Sequence, residues 1–271
     1  MKLAFSNVAW YHKGTDDFIE FIASLGCRGI ELAASMIWDE PLNSTHSQRS
    51  ALRRRIERAG LQVTGLQALL FTRPELLLFG DHEVRENTED YLTGLMDLCA
   101  ELGGEVLVFG SPMNRNRGGM PPVEARAVAI DFFGELGIHA EKRGVFFCIE
   151  PLGRGETDFI NTVAEAEEFI SSVGSRGLGL HIDAKGLIDE NEVEAPYLKE
   201  SFSTAKHVHL NDPGLTAPGS TGFDHSKIQR AMEGSGYSRF LSVEMRRVED
   251  DVEGSIKRAA EYVKQIYFRS K

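Results

Sequence analysis

Four residues able to ligate a metal stand late in the chain, each at the end of a short apolar or β-branched run. They are Glu150 in FFCIEPLG, Asp183 in LHIDAKG, His209 in HVHLND and Glu244 in LSVEMR. Three carboxylates and one imidazole make a mixed oxygen and nitrogen set, which suits one divalent ion such as Mn²⁺, Mg²⁺, Co²⁺ or Zn²⁺ and disfavours soft metals. If the four runs are parallel strands of one closed sheet, each residue takes the last inward position of its strand and all four meet at a single mouth. Carboxylates gathered that closely repel one another, so without a cation at least one would have to be protonated. A divalent ion relieves that repulsion.

Positive groups lie near the same strand ends. The segment FGSPMNRNRGG carries Arg115 and Arg117 in a glycine-flanked loop, and Lys185 stands two residues past Asp183 on the same strand face. Guanidinium forks suit phosphate or carboxylate, so these three are read as substrate-binding groups for an anionic portion of a small molecule. Arg154, in the loop after the fifth run, is a weaker candidate of the same kind. His181 and His207 precede Asp183 and His209 by two residues and so point into the same interior one layer down, where they are expected to support the ligands. Cys148 stands in the same relation to Glu150 and is read as packing. Glu31 and Gln67 are read as partners for substrate hydroxyls, Trp10 as an apolar wall, and His12 as a residue able to face the mouth. His46, His82, His139 and His225 read as loop or helix-surface residues.

The elements that must position these groups repeat eight times. Strand candidates are Leu3 to Ala9, Gly29 to Ala34, Gln62 to Leu69, Val106 to Gly110, Val145 to Pro151, Leu178 to Ala184, His207 to Asn211 and Phe240 to Met245. Helical spacing separates them: Phe18, Phe21, Ile22 and Leu25 behind a Thr15 cap, Thr162 and Glu165 as a capping box, an Asp224 cap, and a last stripe from Val252 through Ile256, Ala259 and Val263 to Ile266. Strands alternating with helices imply parallel pairing through right-handed crossovers, and eight units favour an α/β fold closed as a single (β/α)8 TIM barrel. The rival, an open doubly wound sheet, usually carries a glycine-rich phosphate loop after its first strand; here that turn reads WYHKGTDD. No linker or composition break appears, so residues 1–271 are read as one domain.

Composition narrows the partners. A chain of 271 residues with a formal net charge of −11 repels a polyphosphate backbone over its mean surface, which argues against nucleic acid as a partner. No run of eighteen apolar residues occurs and the N-terminus lacks a cleavage site, so no membrane partner and a cytoplasmic location are expected. Cys27, Cys99 and Cys148 are odd in number and far apart, as reduced packing residues would be.

The order and spacing of Glu150, Asp183, His209 and Glu244, in the contexts IEP, HID, HVHLND and VEM, resemble the xylose isomerase-like barrel superfamily. The likeness extends from GIEL through LQALLFTRPELLLFG to the last strand, and it is greatest to ketose 3-epimerases and related sugar phosphate isomerases, hydroxypyruvate isomerases and inosose dehydratases. The resemblance implies a barrel holding one divalent ion, with Glu150 and Glu244 as ligands that also move protons, acting on a carbohydrate, its phosphate or its acid through a metal-stabilised enediolate. Two glutamates on opposite faces would give epimerisation; return of the proton to the neighbouring carbon would give isomerisation; expulsion of an adjacent hydroxyl would give a dehydratase. Glu156 matches a glutamate that such epimerases use to bind the sugar. Gly186 and Leu215 stand where those enzymes have a histidine and an arginine, so the substrate shell is expected to differ. Dimers or tetramers are common among barrels of this type, which leaves a homo-oligomer open. The superfamily also contains apurinic-site endonucleases with several zinc ions, from which the single imidazole in the matched set and the overall acidity set this chain apart.

Overall fold

In the computed structural model, which describes residues 1–11 and 14–268, eight parallel strands pair in chain order and close into a barrel. The chain runs β1 (Lys2–Ser6), α1 (Thr15–Ser24), β2 (Gly29–Ala33), α2 (His46–Arg58), β3 (Gln62–Gln67), α3 (His82–Leu102), β4 (Val106–Phe109) and α4 (Pro122–Arg143). It continues β5 (Phe146–Ile149), α5 (Val163–Val173), β6 (Leu178–Asp183), α6 (Ala184–Asp189), α7 (Leu198–Thr204), β7 (His207–Leu210), α8 (Ser226–Met232), β8 (Phe240–Val243) and α9 (Val252–Tyr267). Closure comes from β1 against β8, with Lys2 opposite Phe240 and Phe5 opposite Val243. Parallel pairing throughout puts every carboxyl-terminal strand end on one rim. The expected (β/α)8 barrel is therefore what the chain forms. His12 lies outside the described residues.

The strands end sooner than their apolar runs. At β1 the Ser6 hydroxyl accepts from the Val8 amide and opens a 3₁₀ turn over Asn7–Trp10. The Asn7 side chain locks that turn to β2, accepting from the Ala33 amide at 2.7 Å and donating to the Ala33 carbonyl at 3.2 Å. Thr162 and Glu165 form the expected reciprocal capping box on α5. Thr15 is not a cap: it is the first residue of α1, and Gly14 before it makes no side-chain cap. Asp224 accepts from the Ser226 amide at 3.0 Å and so serves the start of α8.

Packing follows the stripes. Phe18, Ile19 and Ile22 of α1 and Ile256, Ala259 and Val263 of α9 are buried in one core cluster with strand residues such as Ile30, Leu107, Phe147 and Val208. Each large side chain so buried stabilises the fold by about 1.5–3 kcal/mol. The barrel interior beneath the mouth is polar instead, with Glu31, His181, His207, His209 and Ser242 all buried. Beside Glu31 the β2–β3 register slips between Ile30 and Glu31, leaving Thr64 unmatched. Gly65 faces Glu31 there, and a Cβ on it would stand 2.1 Å from the Val106 carbonyl oxygen. Among the described residues no helix is long and apolar enough to cross a membrane.

Candidate metal centre and active site

Asp183 ends β6 and caps α6. Its Oδ1 accepts from the Gly186 amide at 3.0 Å, and its Oδ2 accepts from Asn211 Nδ2 at 2.7 Å. Opposite, β7 presents His209. Its Nε2 bonds Glu31 Oε2 at 2.9 Å, while Ser242 donates to the same oxygen at 2.7 Å. The carboxylate therefore fixes the Nε2–H tautomer and turns Nδ1 toward the mouth. That Nδ1 lies 3.2 Å from Glu244 Oε2 and 3.9 Å from Asp183 Oδ2. Glu150, immediately after β5, fits because residue 110 is glycine: a Cβ there would come within 2.2 Å of Glu150 Oε2.

The electrostatics ask for a cation. Burial, and then the charges of Asp183 and Glu244, push the Glu150 carboxyl well above the ordinary carboxylate range. Asp183 is pushed up to about 6, first by burial and then by Glu244. Burial opposes the His209 imidazolium, but Glu31 and then Glu244 outweigh it and raise the imidazole well above its usual value. Glu31 itself is held well below the carboxylate range, because His209 and His207 overcome its burial.

Glu150, His181, Asp183 and His209 each offer a ligand atom, and these atoms all lie within 4.8 Å of one another. Buried imidazole nitrogens are normally paired, yet both nitrogens of His181 have no hydrogen-bond partner among the described residues. Burial, then His209 and His207, hold His181 far below its usual range, so it is neutral with a lone pair to give. These residues fit a divalent ion of hard or borderline character. His181, expected only beneath the ligands, therefore joins the group that could hold the ion, whereas His207 remains below, with Nε2 3.0 Å from Glu31 Oε1.

Above this floor opens a cavity of about 620 Å³, lined among others by Glu150, Asp183, Glu244, Glu156, Lys185, Tyr11, Phe71, Met113, Leu215, Arg246 and Arg247. Glu156 and Lys185 meet there, and Lys185 also holds Asp189, four residues along α6. The two expected arginines do not reach the cavity. Ser111 adopts a positive φ of 45° and Pro112 opens a 3₁₀ turn, which buries Arg115 with its guanidinium on the carbonyls of Phe109 and Ile160. Burial pulls Arg115 down to about 10. Arg117 is spent on Asp158, through its amide at 2.8 Å and its Nε at 3.0 Å. Arg154 pairs with Glu190 and Glu165.

Other expectations are corrected similarly. Glu31 serves His209 rather than substrate, Gln67 lines the cavity but donates to Ser6, and Trp10 is buried in the core, stacked on Phe18 at 5.0 Å. His225 is not a surface residue: it is fully buried, bonded to Asp212 and to the Tyr267 hydroxyl, each at 2.9 Å. Asn211, Arg246 and Arg247 escaped the sequence reading. The two-residue step that singles out Lys185 after Asp183 singles out Arg246 after Glu244, so one of them was within reach.

Residues 19–266 match the family described as xylose isomerase-like TIM barrel. Among curated proteins, the chain is similar to 3-dehydro-D-guloside 4-epimerase of Escherichia coli (strain K12), 23% identical over 264 residues that cover 92% of this chain and 94% of that one. It is also similar to L-ribulose 3-epimerase of Methylomonas sp. (strain DH-1), 23% identical over 84% of this chain and 77% of the other. Of solved structures, D-psicose 3-epimerase with D-tagatose from Clostridium cellulolyticum H10 superposes with a TM-score of 0.83 at 18% identity, covering 98% of this chain and 99% of that one. The IolI protein with a bound zinc atom gives a TM-score of 0.80 at 21% identity, covering 98% of each. The solved structures, at identities this low, carry the fold alone.

Proposed function

The chain belongs to the xylose isomerase-like TIM barrel family, and from that premise we propose that it is a divalent-metal-dependent carbohydrate epimerase or isomerase. One observation carries the reading: Glu150, Asp183 and His209 converge on the cavity floor, with Glu244 against the same His209 Nδ1. The epimerases among the curated relatives support it, the guloside 4-epimerase above all, since that alignment spans nearly the whole of both chains.

Glu150, Asp183, His209 and Glu244 would hold the ion, with His181 beside them. When bound, the ion supplies Lewis acidity toward a carbonyl and its neighbouring hydroxyl. The protein's own groups do the rest. One of Glu150 and Glu244 takes the proton from the carbon between those two oxygens, and the other returns a proton from the opposite face, which inverts the centre. Both carboxylates sit at the cavity floor, where water is displaced once a sugar enters and proton transfer is confined to them. Glu31 keeps His209 in one tautomer throughout. Glu156, steadied by Lys185, is the group proposed to accept hydrogen bonds from sugar hydroxyls. With Gly186 and Leu215 in place of the histidine and arginine of the ketose enzymes, the substrate is expected not to be a simple ketose. A side chain at 186 has no room in this backbone, because a Cβ would stand 2.9 Å from the Pro151 carbonyl oxygen.

The test is label exchange. Ketoses, ketose phosphates, sugar acids and keto-glycosides are incubated in deuterated water with Mn²⁺, Mg²⁺, Co²⁺ or Zn²⁺. One of them should take up solvent deuterium without change of formula. Glu150→Gln and Glu244→Gln should each lower turnover by about 10³-fold or more while the thermal midpoint is kept. Full activity in either variant would sink the two-glutamate mechanism.

A further inference from the structure

Three cationic side chains line the cavity: Lys185, Arg246 and Arg247. Two are already neutralised. Lys185 lies between Glu156 and Asp189, and Arg247 bonds Glu249 Oε2 at 2.7 Å and the Tyr11 carbonyl at 2.7 Å. Arg246 differs. Its backbone amide is fixed to the Leu215 carbonyl at 2.7 Å, yet its exposed guanidinium makes no hydrogen bond or ion pair among the described residues. The cations expected from the sequence in the loop after β4 are spent elsewhere, Arg115 on carbonyls and Arg117 on Asp158. In a chain of net charge −11, an uncommitted guanidinium would ordinarily find an acid, and here five acids line the same cavity: Glu150, Glu156, Asp183, Glu244 and Glu249.

Geometry explains why it does not. Arg246 lies two residues past Glu244, so its Cα is on the rim above the floor, and the Leu215 bond holds that segment against the loop after β7. Leu215, held at a positive φ of 58°, lines the cavity beside it. A planar five-donor fork fixed at the backbone and free at its tip is suited to grip an oxyanion in a bidentate manner.

We propose that Arg246 is the specificity-determining residue of this site and that it receives an oxyanion, carboxylate or phosphate, carried by the substrate at the end remote from the reacting carbons. This rests on the carbohydrate reading above, but its test does not require turnover. Unreactive polyols serve as probes: sorbitol, sorbitol 6-phosphate and gluconate, titrated calorimetrically into the Mn²⁺-loaded protein and its Arg246→Ala and Arg246→Lys variants. One anionic probe should bind about tenfold or more tightly than sorbitol, and which one it is separates phosphate from carboxylate. In Arg246→Ala that ratio should fall to near one, and Arg246→Lys should restore part of it. The proposal is overturned if neither anion outbinds sorbitol, or if the preference survives Arg246→Ala. Failure of the epimerase reading would appear elsewhere, as absence of deuterium uptake by every sugar.

Discussion

At the scale of single residues, the site is organised by Glu31, a buried carboxylate that does not line the cavity. It meets His209, His207 and Ser242 across the barrel interior. Removing its charge while keeping its shape leaves His209 free to change tautomer. Glu31→Gln is therefore expected to weaken Mn²⁺ binding by about 10- to 100-fold, measured by calorimetry on a protein that remains folded. Unaltered affinity would show that the tautomer is set by other means. Nothing in GIEL announces this role, because the partners lie 178 and 211 residues away. Glu150, Asp183, His209 and Glu244 were legible because each needs only its own strand and the order of strands. Arg115 and Arg117 were misread because the turn at Ser111 and Pro112 decides where they point, and residue type alone does not.

At the scale of elements, the loop after β7 is held by a buried cluster. Asp212 accepts from the amides of Gly219 and Thr221, from the Thr221 hydroxyl and from His225, and His225 reaches Tyr267 of α9. Burial lowers the His225 imidazole against the pull of Asp212. Truncating the acid strands these donors in the interior, so Asp212→Ala should cost about 3–5 kcal/mol, or roughly 10 °C in a thermal melt. A shift below 2 °C would mean that the loop is held by other contacts. The helix stripes and the alternation of strand with helix were readable because burial imposes its own period. His225 was not, since its burial depends on a loop folding back and on the last helix, neither of which leaves a mark in HSKI.

At the scale of the whole molecule, a divalent ion held by these residues would act as a stability ligand whose strength depends on pH. Asp183, pushed up to about 6, and Glu150, raised well above the ordinary carboxylate range, retain protons in the metal-free native barrel that the unfolded chain has already lost. Native stability from these groups thus declines as pH rises from the ordinary carboxylate range through about 6, and metal binding, which expels those protons, strengthens over the same window. Mn²⁺ at 100 times its Kd should stabilise the barrel by about 2.7 kcal/mol, some 5–10 °C, and the gain at a fixed Mn²⁺ concentration should be larger at pH 7.5 than at pH 5.5, with chelator abolishing it. An equal gain at both values would refute the protonated carboxyls. The closure of β1 on β8 also has a consequence in time. Glu31 comes early in the chain, while Ser242 belongs to its last strand and Glu244 directly follows that strand, so the constellation exists only after the ends of the sheet have met. An ion held there would then be a clasp and not a seed. It should slow the opening of the finished barrel and leave the rate of folding from the unstructured chain untouched.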